Sequence, residues 1–202
     1  MNLLPFMPQV QKLQAEGTSF SNYYVTNSLC CPSRASLFTG RYPHNTGVYT
    51  NIGPEGGYPF FHRNDEENDT LATDLQDAGY RTALMGKYLN GYAVGTPRRP
   101  GPVPAGWDEW VVGGQAAYTG FNYKLNVNGQ VRRFGGKPDD YLTDVLARRG
   151  KAFIKKAVKQ DQPFLLELAT YAPHSPYTPA PRHDWMFPGL KAPRTPAYDA
   201  VS

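Results

Sequence analysis

Two adjacent cysteines, followed by an arginine, form the stretch of this chain that is best suited to chemistry. Cys30 and Cys31 precede Pro32, whose fixed φ suits the first position of a helix, and Gly40 suits that helix's end. Free N–H groups at a helix N-terminus favour an anion, and Arg34 offers a planar, bidentate fork towards the same spot. We therefore predict a site for a tetrahedral oxyanion. Residue types alone leave two alternatives: small residues closing a strand-to-helix turn, or a strained disulfide between neighbours.

Three predicted strands end next to polar side chains. An alternating, aromatic-rich segment, 20–25, leads into the cysteines, 81–85 leads to Lys87, and 163–170 leads to His174. The carboxyl ends of strands are the usual place for a site in an open α/β sheet. Taken alone, such a lysine is more often a solvated loop charge, and such a histidine in a proline-rich loop is more often a surface residue.

The remaining pattern indicates an α/β domain with a mostly parallel sheet between helices. Helices are predicted at 8–16, 70–78 and 141–159, the last capped by Asp139 or Asp140. The pair Asn128-Gly129 indicates a type I′ hairpin between strands 123–127 and 130–134, and 107–112 is predicted as an edge strand. Segments 50–69 and 93–106 are predicted to be irregular, and His44, His62 and His183 to be surface or turn residues.

Composition limits the classes of function. The chain has 202 residues, 40% of them hydrophobic, a mean hydropathy of −0.54 and a net charge of +4, typical of a soluble globular domain. The charge is small and scattered, which argues against a nucleic-acid partner but suits an anionic substrate. The first eight residues lack a basic run, and prolines interrupt their apolar stretch, so neither a signal peptide nor a membrane span is predicted. Two cysteines are too few for a disulfide framework or a zinc site.

Two motifs carry a resemblance to a known family. They are Cys30-Cys31-Pro32-Ser33-Arg34 with Thr39-Gly40-Arg41, and Gly79-Tyr80-Arg81-Thr82 with Gly86-Lys87. On these residues the chain resembles the type I sulfatases of the alkaline-phosphatase-like superfamily, from about residue 9 to 196. Four further segments look most like N-acetylglucosamine-6-sulfatases, followed by the endosulfatases of heparan sulfate: 86–90, 122–123, 140–147 and 172–176.

The resemblance implies a role for each candidate residue. Cys30 would be converted to formylglycine, the nucleophile that attacks sulfur, and Arg34 would position it. Lys87 would bind the sulfate, and His174 would contact it. Either His174 or a residue near Asn90 would protonate the leaving alcohol. Where the family often has a histidine shortly after this lysine, the chain has Asn90, which we expect to be a substitute hydrogen-bond donor to the substrate. The expected substrate is a sulfated sugar, 6-O-sulfated N-acetylglucosamine of a glycosaminoglycan-like glycan.

The family also implies a metal ion, Ca²⁺ or alternatively Mg²⁺. Its Asp-Asp and Asp-Asn ligands have no counterparts in this sequence, so Cys30, as formylglycine, is the one ligand expected from this chain. We therefore expect residues 1–202 to be part of a sulfatase catalytic domain, incomplete at both ends, without its first strand and C-terminal half, and inactive alone. A formylglycine-generating or anaerobic maturase would be a partner, and the location would be secreted, periplasmic or lysosomal.

Two alternatives to this function remain open at the level of sequence. A phosphodiesterase or phosphonate hydrolase of the same superfamily could share the cysteine motif. A truncated chain could instead bind an anion or glycan without catalysing a reaction.

Overall fold

The computed structural model describes residues 4–191 and 194. Its contacts divide the chain into two compact units, residues 25–181 and the described part of residues 1–24 and 182–202. The prediction that the domain is incomplete at both ends concerns Met1 and Ser202, which lie outside the described residues. None of the helices among the described residues combines the length and apolarity needed to cross a bilayer.

Apart from short 3-10 helices, the described chain runs through five α-helices, then six strands, then one long α-helix and a final strand. The α-helices are α1 (Pro8–Glu16), α2 (Cys30–Thr39), α3 (Pro43–Thr46), α4 (Gly57–Arg63), α5 (Leu71–Asp77) and α6 (Leu142–Lys159). The strands are β1 (Arg81–Lys87), β2 (Gly95–Thr96), β3 (Arg99–Pro100), β4 (Glu109–Gly113), β5 (Lys124–Val127), β6 (Gln130–Arg133) and β7 (Phe164–Ala169). Short 3-10 helices span Leu4–Phe6, Glu66–Asn68, Gln115–Thr119, Pro138–Asp140 and Pro181–His183.

One five-stranded sheet organises residues 25–181, in the order β6-β5-β4-β1-β7. Strand β1 is parallel to both neighbours, with Ala83 opposite Glu109 of β4 and Leu166 of β7. The β5–β6 hairpin continues the sheet beyond β4 in antiparallel pairing. The α/β class is confirmed, and the sheet is mixed because the hairpin adds antiparallel strands to its parallel part.

The central strand separates two apolar layers. Leu84 packs into a cluster with Cys31, Ala35 and Phe38 of α2, on one face of the sheet. Its neighbours Ala83 and Met85 belong to a second cluster, which contains Leu142, Val145, Leu146 and Phe153 of α6. Successive side chains of a strand point to opposite faces, so β1 is buried on both sides and anchors both layers.

Several local predictions are confirmed. Helix α1 has the predicted bounds, and α6 begins one residue later than predicted. Thr70 caps α5, since its side chain accepts from the Thr73 N–H while the Thr73 hydroxyl accepts from the Thr70 N–H. The hairpin turn has φ of 50° at Asn128 and 79° at Gly129, as a type I′ turn requires.

Two predictions of element type are wrong. Residues 20–25 form no strand, and the rings of Phe20, Tyr23 and Tyr24 are mostly exposed. The alternation was misleading because a strand needs a neighbouring strand, and the structure pairs none with this segment within the described chain. Segment 50–69 is not a loop, since it contains α4 and a 3-10 helix. Burial of Phe61 stabilises α4 despite the surrounding glycines and prolines.

Strand environments and one helix cap also differ from expectation. Strand β4 lies inside the sheet, between β1 and β5, and is not an edge strand. Strand β7, predicted to be buried, pairs with β1 alone among the described strands and leaves Leu168 42% exposed. Asp140 does not cap α6: its carboxylate accepts from the Lys137 N–H, because a 3-10 turn precedes the helix. Within segment 93–106, β2 and β3 form a short ladder.

Candidate active site

The N-terminus of α2 places the two cysteines in different surroundings. The helix begins at Cys30 and not after Cys31, so Pro32 is its third residue, and Gly40 ends it with a left-handed φ of 68°. Both thiols are free, which contradicts the disulfide alternative. Cys30 is partly exposed, whereas Cys31 is fully buried. The first cysteine is therefore the one available for chemistry.

Buried Cys31 is held by two asparagines. Its N–H donates to Asn51 Oδ1 at 2.8 Å, and its Sγ accepts from the Asn90 N–H at 3.1 Å. Its thiol also lies 3.4 Å from Asn90 Oδ1. Burial raises the pKa of the Cys31 thiol, against the opposing effects of the Asn90 N–H and of Lys87. Cys31 is thus a neutral structural thiol that ties α2 to the segment after β1.

Four of the predicted site residues line one cleft of about 550 Å³, which we call the cysteine cleft. They are Cys30, Arg34, Lys87 and His174, and they come from α2, the end of β1 and the segment after β7. Asn90 does not line this cleft. It lines a neighbouring cleft of about 440 Å³, the second cleft, which shares Lys87 with the first.

Arg34 connects α2 to the two parallel strands behind it. Its Nη1 donates to the backbone oxygen of Lys87 at 3.1 Å and lies 3.5 Å from Glu167 Oε1 of β7. These contacts orient the guanidinium at the cleft wall. A fixed arginine in such a wall can bind an oxyanion at little entropic cost.

Lys87 ends β1 between the two clefts. It is only 7% exposed, and its Nζ lies 5.2 Å from the centre of the Tyr118 ring. Within residues 4–191 and 194, no carboxylate forms a salt bridge with it. A largely buried ammonium without a carboxylate partner favours an anionic ligand.

His174 lies against the same tyrosine. Its ring is 4.7 Å from Tyr118, edge to face, and Tyr118 also packs on Tyr171 at 4.9 Å. His174 Nδ1 lies 2.9 Å from the Ser175 carbonyl oxygen. A carbonyl can only accept, so Nδ1 carries the proton in this contact and Nε2 is left for proton transfer.

Glu167 is a cleft residue that the sequence reasoning missed. Its side chain is one-fifth exposed, and burial raises its pKa to about 7, against the lowering effect of Arg34. The available signal was a single carboxylate within the apolar run 164–168. Tyr118 and Asn51 were also missed. No sequence signal marks them, since distant turns of the chain place them here.

The other three histidines lie in short helices of the chain. His62 of α4 contacts Glu67 and stacks on Tyr58 at 5.2 Å. His44 stacks on Tyr42 at 5.7 Å. Neither lines the cysteine cleft. His183 lies in the last 3-10 helix.

A metal site requires several oxygen ligands, and calcium takes six to eight of them. The described part of the chain contains no group of three or more His, Cys, Asp or Glu that could hold a metal ion. The described residues do not fit a calcium site on their own.

Comparison with known proteins identifies the class of this chain. The sulfatase family model matches residues 2–195, and the chain belongs to the sulfatase family. It is 40% identical to human N-acetylglucosamine-6-sulfatase, over 88% of this chain and 32% of the relative. It is 37% identical to the extracellular sulfatase SULF-1 homolog of Drosophila melanogaster, over 97% of this chain and 17% of the relative. The chain thus spans a third or less of these relatives.

Solved structures give the same class. The protein Ps i-CgsB is 30% identical, with a TM-score of 0.68, over 92% of this chain and 44% of that one. BT4656, solved with its substrate D-glucosamine-2-N,6-O-disulfate, is 28% identical, with a TM-score of 0.67, over 87% of this chain and 31% of that one. The predicted family and its alkaline-phosphatase-like α/β fold are confirmed.

Proposed function

We propose that this chain is part of a sulfuric ester hydrolase that removes sulfate from a sulfated sugar. The proposed substrate is 6-O-sulfated N-acetylglucosamine of a glycosaminoglycan-like glycan. Similarity to N-acetylglucosamine-6-sulfatases and to a protein that binds a 6-O-sulfated glucosamine supports this choice. Residues 1–202 would form part of the catalytic domain.

One observation carries the proposal: Cys30, Arg34, Lys87 and His174 line a single cleft, although they are up to 144 positions apart in the chain. The cleft combines a nucleophile position at a helix N-terminus with two cations and an imidazole. A sulfate ester needs these groups, because its oxygens carry negative charge and its leaving oxygen needs a proton.

Cys30 suits conversion to formylglycine. It is partly exposed on the first turn of α2, while Cys31 is buried in the core. When present, the hydrated aldehyde supplies a hydroxyl nucleophile for sulfur and releases sulfate by re-forming the aldehyde. The remaining roles belong to unmodified side chains.

Arg34 and Lys87 would bind the sulfate oxygens and balance their charge, each already oriented by the contacts described above. His174 would hold a proton at Nε2 for the leaving sugar oxygen, since Nδ1 is engaged with a carbonyl. Asn90 would donate from its amide to the sugar in the second cleft, because its Oδ1 faces the Cys31 thiol.

The proposed enzyme would use Ca²⁺, or Mg²⁺, as sulfatases do, with a maturase as the partner that modifies Cys30. The described residues alone do not supply the carboxylates of that site. Similarity to extracellular sulfatases supports a secreted, periplasmic or lysosomal location.

The test has two readouts. The protein translated from the whole coding region is co-expressed with a formylglycine-generating enzyme, and the peptide containing Cys30 is analysed by mass spectrometry. We expect conversion of Cys30, and faster turnover of an aryl sulfate than of an aryl phosphate. Cys30→Ser should abolish turnover, and Cys31→Ser is the control that keeps the modified position.

Two results would contradict the proposal. Dominant hydrolysis of the aryl phosphate would favour the phosphodiesterase or phosphonate hydrolase alternative. Undiminished multiple turnover by Cys30→Ser would refute the formylglycine route, since a serine cannot release sulfate by re-forming an aldehyde.

A further inference from the structure

The second cleft adjoins the cysteine cleft through shared walls. Lys87, Tyr118 and Tyr171 line both clefts. A sulfate held by Lys87 therefore has room on its other side for the group to which it is esterified. The volume of about 440 Å³ is within the range of small-molecule sites.

The second cleft has a mixed lining of apolar, glycine, polar and cationic residues, and none of the described residues that line it is acidic. Lys124 lies at the start of β5, while Gln115 and Asn122 lie in the connection from β4 to β5. Lys124 forms no ion pair with any carboxylate of the described chain. The cleft therefore offers a second cation beside the one that would bind the ester sulfate.

The pairing of β5 with β6 places a second cation next to Lys124. Lys124 is paired directly with Arg133 of β6, so the two cations project from the same face of the hairpin. Like charges in directly opposed positions destabilise a strand pair. A bound anion would offset that cost.

We propose that the second cleft holds the sugar ring of the ester and that Lys124, supported by Arg133, binds a second anionic substituent of the same glycan. This inference rests on the proposed function. The substituent is a sulfate on the same ring or a carboxylate on the neighbouring ring. Lys124 would then be a specificity residue, with no part in the chemical step.

The test compares three ligands by NMR titration of the full chain. D-glucosamine 6-sulfate carries one anionic group, D-glucosamine N,6-disulfate adds a sulfate, and a uronate-linked disaccharide of glucosamine 6-sulfate adds a carboxylate. We expect at least one doubly anionic ligand to bind about fivefold more tightly than the monosulfate, as one partly exposed ion pair allows. The doubly anionic ligand that binds more tightly identifies the substituent.

Variants separate Lys124 from general charge effects. Lys124→Gln should reduce the affinity for the preferred ligand to that for the monosulfate, and Lys124→Arg should retain the preference. Lys155→Gln makes the same charge change on the exposed face of α6 and should alter neither affinity.

The outcomes distinguish this inference from the proposed function. If the monosulfate binds but neither doubly anionic ligand binds more tightly, or if Lys124→Gln keeps the preference, the inference is refuted and the proposed function stands. If Lys124→Gln weakens all three ligands equally, a specific contact is also refuted. If no ligand binds, both proposals fail for this chain.

Discussion

Glu167→Gln should change how the stability of this protein depends on pH. Glu167 lies 3.5 Å from Arg34 in the wall of the cysteine cleft, and burial raises its pKa from 4.5 to about 7. Between these two values the folded protein binds more protons than the unfolded chain. Stability therefore falls as pH rises through this interval, by the linkage of proton binding to folding.

The magnitude follows from the size of the pKa shift. At about 1.36 kcal/mol per pKa unit, the rise from 4.5 to about 7 corresponds to a loss of about 3 kcal/mol once Glu167 is ionised. At pH 5 only about 1 kcal/mol of this loss is present. We expect Glu167→Gln to gain about 2 kcal/mol relative to wild type between pH 5 and pH 8, because the amide stays neutral.

The assay is reversible urea unfolding of both proteins at several pH values between 5 and 8. Glu109→Gln is the matched control, since it removes the carboxylate of another arginine–glutamate ion pair, which Glu109 of β4 forms with Arg81 of β1 at 2.9 Å. This control should keep the wild-type fall in stability, because Glu167 is still present. Parallel stability curves for wild type and Glu167→Gln would refute the raised pKa.

The same ionisation should affect anion binding. Above pH 7 the Glu167 carboxylate competes for Arg34 and repels a sulfate in the cleft that it lines. We expect inorganic sulfate to bind more weakly at pH 8 than at pH 6, and this difference to be smaller in Glu167→Gln. Calorimetric titration measures the sulfate affinity of each protein at both pH values. An equal change in affinity between pH 6 and pH 8 in wild type and Glu167→Gln would contradict the competition.

Five further variants test four features. Gly86→Ala should lower the free energy of unfolding, measured in urea, by more than about 3 kcal/mol. The reason is that φ is 117° at Gly86 and the new Cβ would lie 1.9 Å from a backbone oxygen of β7. Near-wild-type stability would mean that β7 can move away. Thr70→Ala should cost about 1 kcal/mol by losing the capping box of α5, and an unchanged urea midpoint would show that the cap contributes nothing. Cys31→Ala should cost about 1–2 kcal/mol through a lost buried contact, whereas Cys30→Ala should cost little; the reverse order would contradict their assigned environments. Lys87→Gln should weaken inorganic sulfate binding at least about fivefold in calorimetry, and retained affinity would remove Lys87 from the sulfate site.

Local chemistry made part of this protein predictable from its sequence. Gly40 ends α2 because a left-handed residue is needed there, and Asn128-Gly129 forms the hairpin because both positions require positive φ. The apolar period of 142–159 specifies α6 for the same kind of reason. Each of these depends on residues only a few positions apart, as does the cysteine motif that identified the family.

Tertiary structure alone decided which elements are neighbours and how deeply they are buried. Segment 20–25 has the alternation of a strand, but no strand of the described chain pairs with it, and α4 forms in a glycine-rich segment because Phe61 is buried. The position of β4 inside the sheet and that of β7 at its side depend on strand pairing, which no single segment encodes.

The candidate site also has features that the sequence predicts and features that only the tertiary structure decides. Cys30, Arg34, Lys87 and His174 could be selected from the sequence because their motifs are local. Their approach to Glu167, and with it the raised pKa of that carboxyl, required α2 to pack across β1 and β7. Residue types and spacing therefore determined the candidate chemistry, whereas the burial and electrostatics of the cleft arose from contacts between residues far apart in the chain.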